Sequence, residues 1–215
     1  RGAPINRLAA GVQTALLYDV SQDHPQLVRT LLASGAASGL HETRDGYAPL
    51  HYAAGRGQIN LLDLLMAGDP SPDLNLADAR GQTALLHAVR GKQQVAIQRL
   101  LRAGADPNRR ALDGSTALHI AARYGDSVRL DGLLRAGAIP DLRNRFGETA
   151  LMIAARRGAI ADARRLMAAG ADPLLRDCAG NYGALELARG HPRMQRYLRA
   201  VTPIGPPPFF YCPAI

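Results

Sequence analysis

Apolar positions along this 215-residue chain fall into two short patterns that alternate from one end to the other. The first is a compact run behind a polar residue, as in Thr116-Ala117-Leu118-His119-Ile120-Ala121-Ala122. The second is Leu-x-x-Leu-Leu, as in Leu130 to Leu134, with two residues intervening before a glycine. Each pattern lays its apolar residues on one face of a short helix. The glycines Gly35, Gly68, Gly104, Gly137 and Gly170 suit a left-handed helix stop, which only Gly adopts cheaply. A third landmark is Gly46, Gly81, Gly114, Gly147 and Gly180 in polar clusters such as Leu112-Asp113-Gly114-Ser115, which read as tight turns. The predicted unit is turn, short helix, loop, second short helix, glycine stop.

The unit repeats. Thr149-Ala150-Leu151 stands 33 residues after Thr116-Ala117-Leu118, and Thr83-Ala84-Leu85 stands 33 before it. Ala48-Pro49-Leu50-His51 lies 35 residues earlier still, and Thr14-Ala15-Leu16 another 34. Gly183-Ala184-Leu185 opens a degenerate sixth copy. Such a unit cannot bury its apolar face alone, so stacked neighbours must supply the core.

Ala48-Pro49-Leu50-His51 and Leu100-Leu101-Arg102-Ala103-Gly104-Ala105-Asp106-Pro107-Asn108 resemble the signatures of the ankyrin repeat, whose period is about 33 residues. The resemblance runs over roughly residues 11–200. It implies an all-α solenoid of helix-turn-helix units joined by β-hairpin-like loops. The expected organisation is one domain over residues 1–202, with repeats near 7–35, 43–68, 78–104, 111–137, 144–170 and 177–201, the first and last acting as caps. It also implies that His51 and His119 staple local backbone, and that Leu118, Ala121 and Ala122 face neighbouring repeats. The Pro70-Ser71-Pro72 connection makes the second-to-third junction longer.

Composition narrows the function. Hydrophobic residues make up 47% and charged residues 20%, ordinary values for a chain with a packed core. No window approaches the length of uncharged apolar residues that a membrane span requires. Lys92 is the only lysine among 26 basic residues, a bias consistent with a GC-rich, bacterial genome, and the net charge of +8 fits an acidic partner. Charge is uneven: residues 47–80 sum to −2 and residues 81–113 to +4. The first residue is Arg rather than Met, so a segment upstream is expected to be missing.

No catalytic constellation is found, and no cofactor or metal is expected. There is no phosphate-cradling glycine loop and no H-E-x-x-H. Cys178 with His191 has the types of a nucleophile and base but nothing to orient them. Function is therefore expected from a surface.

The family resemblance places that surface on a concave face, at hairpin tips and first-helix ends. The residues mapping there are Arg56, Arg80, Gln82, Arg90, Asp113, Ser115, Arg123, Tyr124, Arg145, Phe146, Glu148, Arg156 and Arg157. Arg90, Arg123 and Arg156 recur every 33 residues and are expected to stack as a ladder that Arg189 extends. Two readings stay open for them: forks for carboxylates of a protein partner, or cations that stabilise helix C-termini. The proline-rich tail, residues 203–215, carries Phe209, Phe210 and Tyr211 and is read as either a cap over the last repeat or a docking plug. A Cys178–Cys212 disulfide would pin it to the last hairpin and fits a periplasmic or secreted location; free thiols fit the cytoplasm. The resulting expectation is a monomeric protein-binding module, an inhibitor or immunity protein of a cognate enzyme. The alternatives are an effector aimed at a host protein or a nucleic-acid binder.

Overall fold

The computed structural model describes residue 6 and residues 14–37, 45–68, 71–178 and 181–202. Among these residues it contains twelve helices in six consecutive pairs. They are α1 (Ala15–Ser21), α2 (Pro25–Ala33), α3 (Pro49–Arg56), α4 (Ile59–Met66), α5 (Ala84–Arg90) and α6 (Gln94–Arg102). The rest are α7 (Ala117–Tyr124), α8 (Ser127–Arg135), α9 (Ala150–Arg156), α10 (Ile160–Ala168), α11 (Ala184–Leu187) and α12 (Pro192–Val201). This is the all-α solenoid that the repeat predicts.

A threonine opens four of the six first helices and explains where they start. Thr14, Thr83 and Thr149 sit in extended backbone, and their hydroxyls accept the N–H of Leu17, Leu86 and Met152. That satisfies a donor which the helix cannot pair internally. Proline at the first helical position of α2, α3 and α12 costs nothing, since its missing N–H would be unpaired there anyway.

Clustering of contacts divides the chain into two compact units, Arg1–Leu112 and Asp113–Ile215. In the first unit α3 packs against α1 and α5, while α4 packs against α2 and α6. In the second, α9 lies between α7 and α11, and α10 contacts α8 and α12. First helices thus form one layer and second helices another within each unit. Ala53, Ala54, Ala121, Ala122, Ala154 and Ala155 are fully buried, and their small side chains let adjacent helices approach closely. Leucines such as Leu61, Leu65, Leu100, Leu130 and Leu166 fill the space between the layers.

His51 and His119 are staples, as the resemblance implies, and their geometry fixes the tautomer. Nδ1 of His51 accepts the Ala48 N–H at 2.9 Å, and Nδ1 of His119 accepts the Thr116 N–H at 3.2 Å. A backbone N–H can only donate, so Nδ1 carries no proton. Nε2–H then donates onward to a carbonyl of the following repeat, Leu76 O and Glu148 O, each at 2.9 Å. Each neutral ring thus accepts within its own repeat and donates onward toward the next. Leu86, Met152 and Glu186 replace it elsewhere; Glu186 still accepts the Gly183 N–H at 2.9 Å.

Candidate surface of hairpin tips and helix ends

The loops between repeats project as fingers, and one backbone bond joins each finger to the next. Asp45 O accepts from Ala79 N and Arg80 O from Leu112 N in the first unit, each at 2.9 Å. In the second, Asp113 O accepts from Arg145 N at 2.9 Å and Phe146 O from Cys178 N at 2.8 Å. The fingers approach so closely that a Cβ on Gly81, Gly114 or Gly147 would lie 2.7–2.8 Å from a backbone nitrogen of the next finger.

A side chain three residues before the turn glycine shapes the finger. Asp78 Oδ1 accepts the N–H of Arg80 and Gln82, both at 2.8 Å. Asn144 Oδ1 does the same for Phe146 and Glu148, at 2.9 and 3.0 Å. Asp177 accepts from Tyr182 N at 3.0 Å. The other oxygen of Asp78 meets His87 Nε2 at 2.9 Å. Burial raises the Asp78 carboxyl, but the N–H groups of Gln82 and Arg80 and the His87 ring outweigh it and hold it below the ordinary value. Burial lowers His87, and the Asp78 contact only partly opposes that. His87 also packs against Tyr47, with ring centroids 5.0 Å apart, inside the first unit.

The predicted surface residues divide by the work they do. Gln82, Ser115 and Glu148 are buried within the fingers and offer almost no area to a partner. Arg56 donates to Ser21 O at 2.8 Å, and Arg157 donates to Ala122 O at 2.9 Å. Both satisfy carbonyls at the C-terminal end of the preceding repeat's first helix. The recurring arginines share a helical position but not a role. Arg156 is ion-paired with Glu148. Arg90 is half-buried, and its Nε is buried with no hydrogen-bond partner among the described residues. Arg123 projects into solvent. Asp113 is half-exposed and turns its carboxylate onto Ser115 N at 2.9 Å.

Four residues of the second unit expose their side chains at this surface. The Arg145 guanidinium lies over the Phe146 ring at 4.8 Å, and Phe146 is 48% exposed. Arg123 stands beside Tyr124, which is 42% exposed. Arg80 is exposed at a tip of the first unit. Sequence reasoning found these positions but missed the Asx network behind them; an Asp or Asn at the same offset before three of the turn glycines was its signal.

Cys178 stands exposed at the last finger. Cys212 and the tail residues Phe209, Phe210 and Tyr211 lie outside the described residues, and so does the proposed disulfide. His191 Nε2 faces Arg156 O at 3.0 Å, which commits that nitrogen to holding two repeats together. No group of three His, Cys, Asp or Glu among the described residues can hold a metal ion. No described helix is long and apolar enough to cross a membrane.

Stacked helix pairs with hydrogen-bonded fingers and a charged, aromatic rim define a repeat scaffold for binding other macromolecules. The sequence matches the family described as ankyrin repeats (3 copies) over residues 16–111 and 94–177, and the chain belongs to the ankyrin repeat family. It is similar to human NF-kappa-B inhibitor epsilon, 37% identical over 102 residues, covering 44% of this chain and 20% of that protein. It is also similar to a probable E3 ubiquitin-protein ligase, XBOS33, of Oryza sativa subsp. japonica, 38% identical over 98 residues, covering 45% of this chain and 18% of that one. The chain thus matches about a fifth of the length of these curated relatives. Among solved structures, the ankyrin repeat domain of Bcl-3, a member of the IkappaB family, matches with a TM-score of 0.84 and 30% identity, over 92% of this chain and 87% of that one. Ankyrin repeats mediate protein–protein interaction, and this chain shares that general role.

Proposed function

We propose that this chain is a non-enzymatic module that binds a protein partner with an acidic contact surface through its hairpin tips and first-helix ends. The observation that carries the reading is the Arg145–Phe146 pair, stacked at 4.8 Å and turned to solvent. An exposed aromatic ring backed by a guanidinium has the composition of an interface hot spot, and the Asn144 network holds it in place. Arg123 and Tyr124 repeat that composition at a helix end of the same unit.

The finer reading is an inhibitor or immunity protein that blocks a cognate enzyme, and a relative named as an inhibitor supports it. An effector directed at a host protein uses the same surface. Nucleic acid is the alternative of a different class; it predicts affinity that falls steeply with salt.

The test is affinity capture from the source cell, with partners identified by mass spectrometry and their binding then measured with purified proteins. Arg145→Ala/Phe146→Ala, its fold checked by circular dichroism, is expected to weaken binding by about tenfold or more, since hot-spot truncations cost about 2 kcal/mol or more. A recovered partner that binds the folded double variant as tightly as wild type would remove the tip from the interface. Recovery of nucleic acid alone would overturn the protein-binding reading.

A further inference from the structure

The second helices of the last two repeats carry five arginines that no ion pair among the described residues balances. On α4, Asp63 pairs with Arg99 of α6 at 3.5 Å. On α8, Asp131 pairs with Arg135, and Asp126 with Arg129. On α10 and α12 no such balance exists. Arg164, Arg193, Arg196 and Arg199 are exposed and Arg165 half-exposed, and none has an acidic partner among the described residues.

The acids in this stretch of sequence are turned to other work. Asp162 is buried and accepts from Ser127. Asp172 accepts the Leu174 N–H at 2.8 Å, and buried Asp177 accepts the Tyr182 N–H. Glu186 is taken by Arg176 at 3.2 Å and by Gly183 N. What is left outside is positive. A genome-wide preference for arginine explains the residue type but not that each of these acids is already engaged elsewhere.

The same face has an apolar floor. A shallow, open depression on α10 is lined by Ile160, Ala161 and Ala168 beside Arg164 and Arg165. The Arg164 guanidinium lies 5.5 Å from the centre of the Tyr197 ring, which ties α10 to α12. Arg193 stands one turn before Tyr197, and Arg196 and Arg199 continue around the exposed side of α12.

We infer that the α10–α12 face is a second interaction surface, separate from the hairpin tips, and that it takes an acidic polypeptide segment carrying an apolar anchor. Planar guanidinium forks match carboxylates. The depression takes an aliphatic side chain beside them. A single-stranded nucleic acid would need open aromatic faces for its bases, and the aromatic ring here, Tyr197, has one face under Arg164.

The probe is a fluorescein-labelled peptide of glutamate pairs separated by single leucines, titrated by anisotropy with the full chain. Controls are the same peptide with serine for leucine, and a labelled oligothymidylate of equal charge. Wild type is expected to bind the leucine peptide, with affinity that falls as salt rises. The serine peptide and the oligothymidylate are expected to bind at least about fivefold more weakly, and Arg164→Gln/Arg196→Gln/Arg199→Gln to weaken peptide binding about tenfold or more. Arg123→Gln/Arg145→Gln should leave it within about twofold, which separates this surface from the one proposed above. If the triple variant fails to fold, Arg193→Gln/Arg199→Gln on solvent-facing positions carries the same expectation. Oligothymidylate binding as tight as peptide binding, no peptide binding at all, or a loss caused by the Arg123/Arg145 variant instead, would each overturn the inference.

Discussion

Two sets of glycines recur in this chain; Gly35, Gly104, Gly137 and Gly170 of one and Gly46, Gly81, Gly114 and Gly147 of the other lie at positive φ. Gly137, after α8, has a φ of +86° and nothing within 4 Å of where a Cβ would stand. Gly114, at a finger turn, has a φ of +72°, and a Cβ there would lie 2.8 Å from Arg145 N and 3.0 Å from Asn144 Cα. Gly137→Ala is therefore expected to cost about 1–2 kcal/mol, the strain of a left-handed residue. Gly114→Ala must also push the next finger's backbone away and is expected to cost about 3 kcal/mol or more. Urea denaturation of the two variants measures the difference, and equal costs would mean that the finger contact adds nothing. The sequence showed both sets as turn or stop residues, because chain direction is a local property. It did not show which set touches a neighbour, because that contact spans a whole repeat.

The finger is the element that presents the candidate interface, and its shape depends on one buried side chain. Asn144 Nδ2 donates to Glu148 Oε2 at 3.1 Å, while its Oδ1 takes the two backbone N–H groups. Asn144→Ala orphans the Phe146 and Glu148 N–H groups. Leaving a buried donor unpaired costs about 1–3 kcal/mol. The variant should lose that much stability and also weaken partner binding, since Arg145 and Phe146 sit on the loosened loop. Asn144→Asp with Glu148→Gln keeps the acceptor, avoids two facing carboxylates and recreates the Asp78–Gln82 pairing of the third repeat, so it should recover most of both losses. Failure of this double variant to rescue would show that the loop bonds alone do not hold the finger. Helices were the most legible elements, because Thr caps, apolar spacing and glycine stops are written within a dozen residues. The fingers were legible only as turns, since Asp78, Ala111, Asn144 and Asp177 occupy one position with three residue types. The α10–α12 surface was least legible. Its charge depends on where Asp162 and Glu186 point, which composition does not carry.

At the scale of the molecule, the bonds between repeats named above couple immediate neighbours. His51 ties its repeat to Leu76 in the next, His119 ties to Glu148, and His191 ties back to Arg156, so each bond reaches one repeat away. Stability in such a chain is a sum of weak units and stronger interfaces. The contact division at Leu112 and Asp113 and the expected single domain over residues 1–202 make different demands on unfolding. The single-domain proposal predicts one transition in urea, with Gly81→Ala in the first unit and Gly114→Ala in the second each shifting the whole curve. Tyrosine fluorescence is the discriminating probe. Tyr18, Tyr47 and Tyr52 fall in the first unit, and Tyr124, Tyr182, Tyr197 and Tyr211 in the second. Removing either set by Tyr→Phe substitution lets each half be followed alone. Coincident midpoints would mean that the two units unfold as one. Midpoints that separate, with each glycine substitution moving only its own half, would replace the single domain with two that fold independently. The tip surface and the α10–α12 face would then both belong to one self-sufficient unit, since Arg123, Arg145, Phe146 and all five α10–α12 arginines lie beyond Asp113.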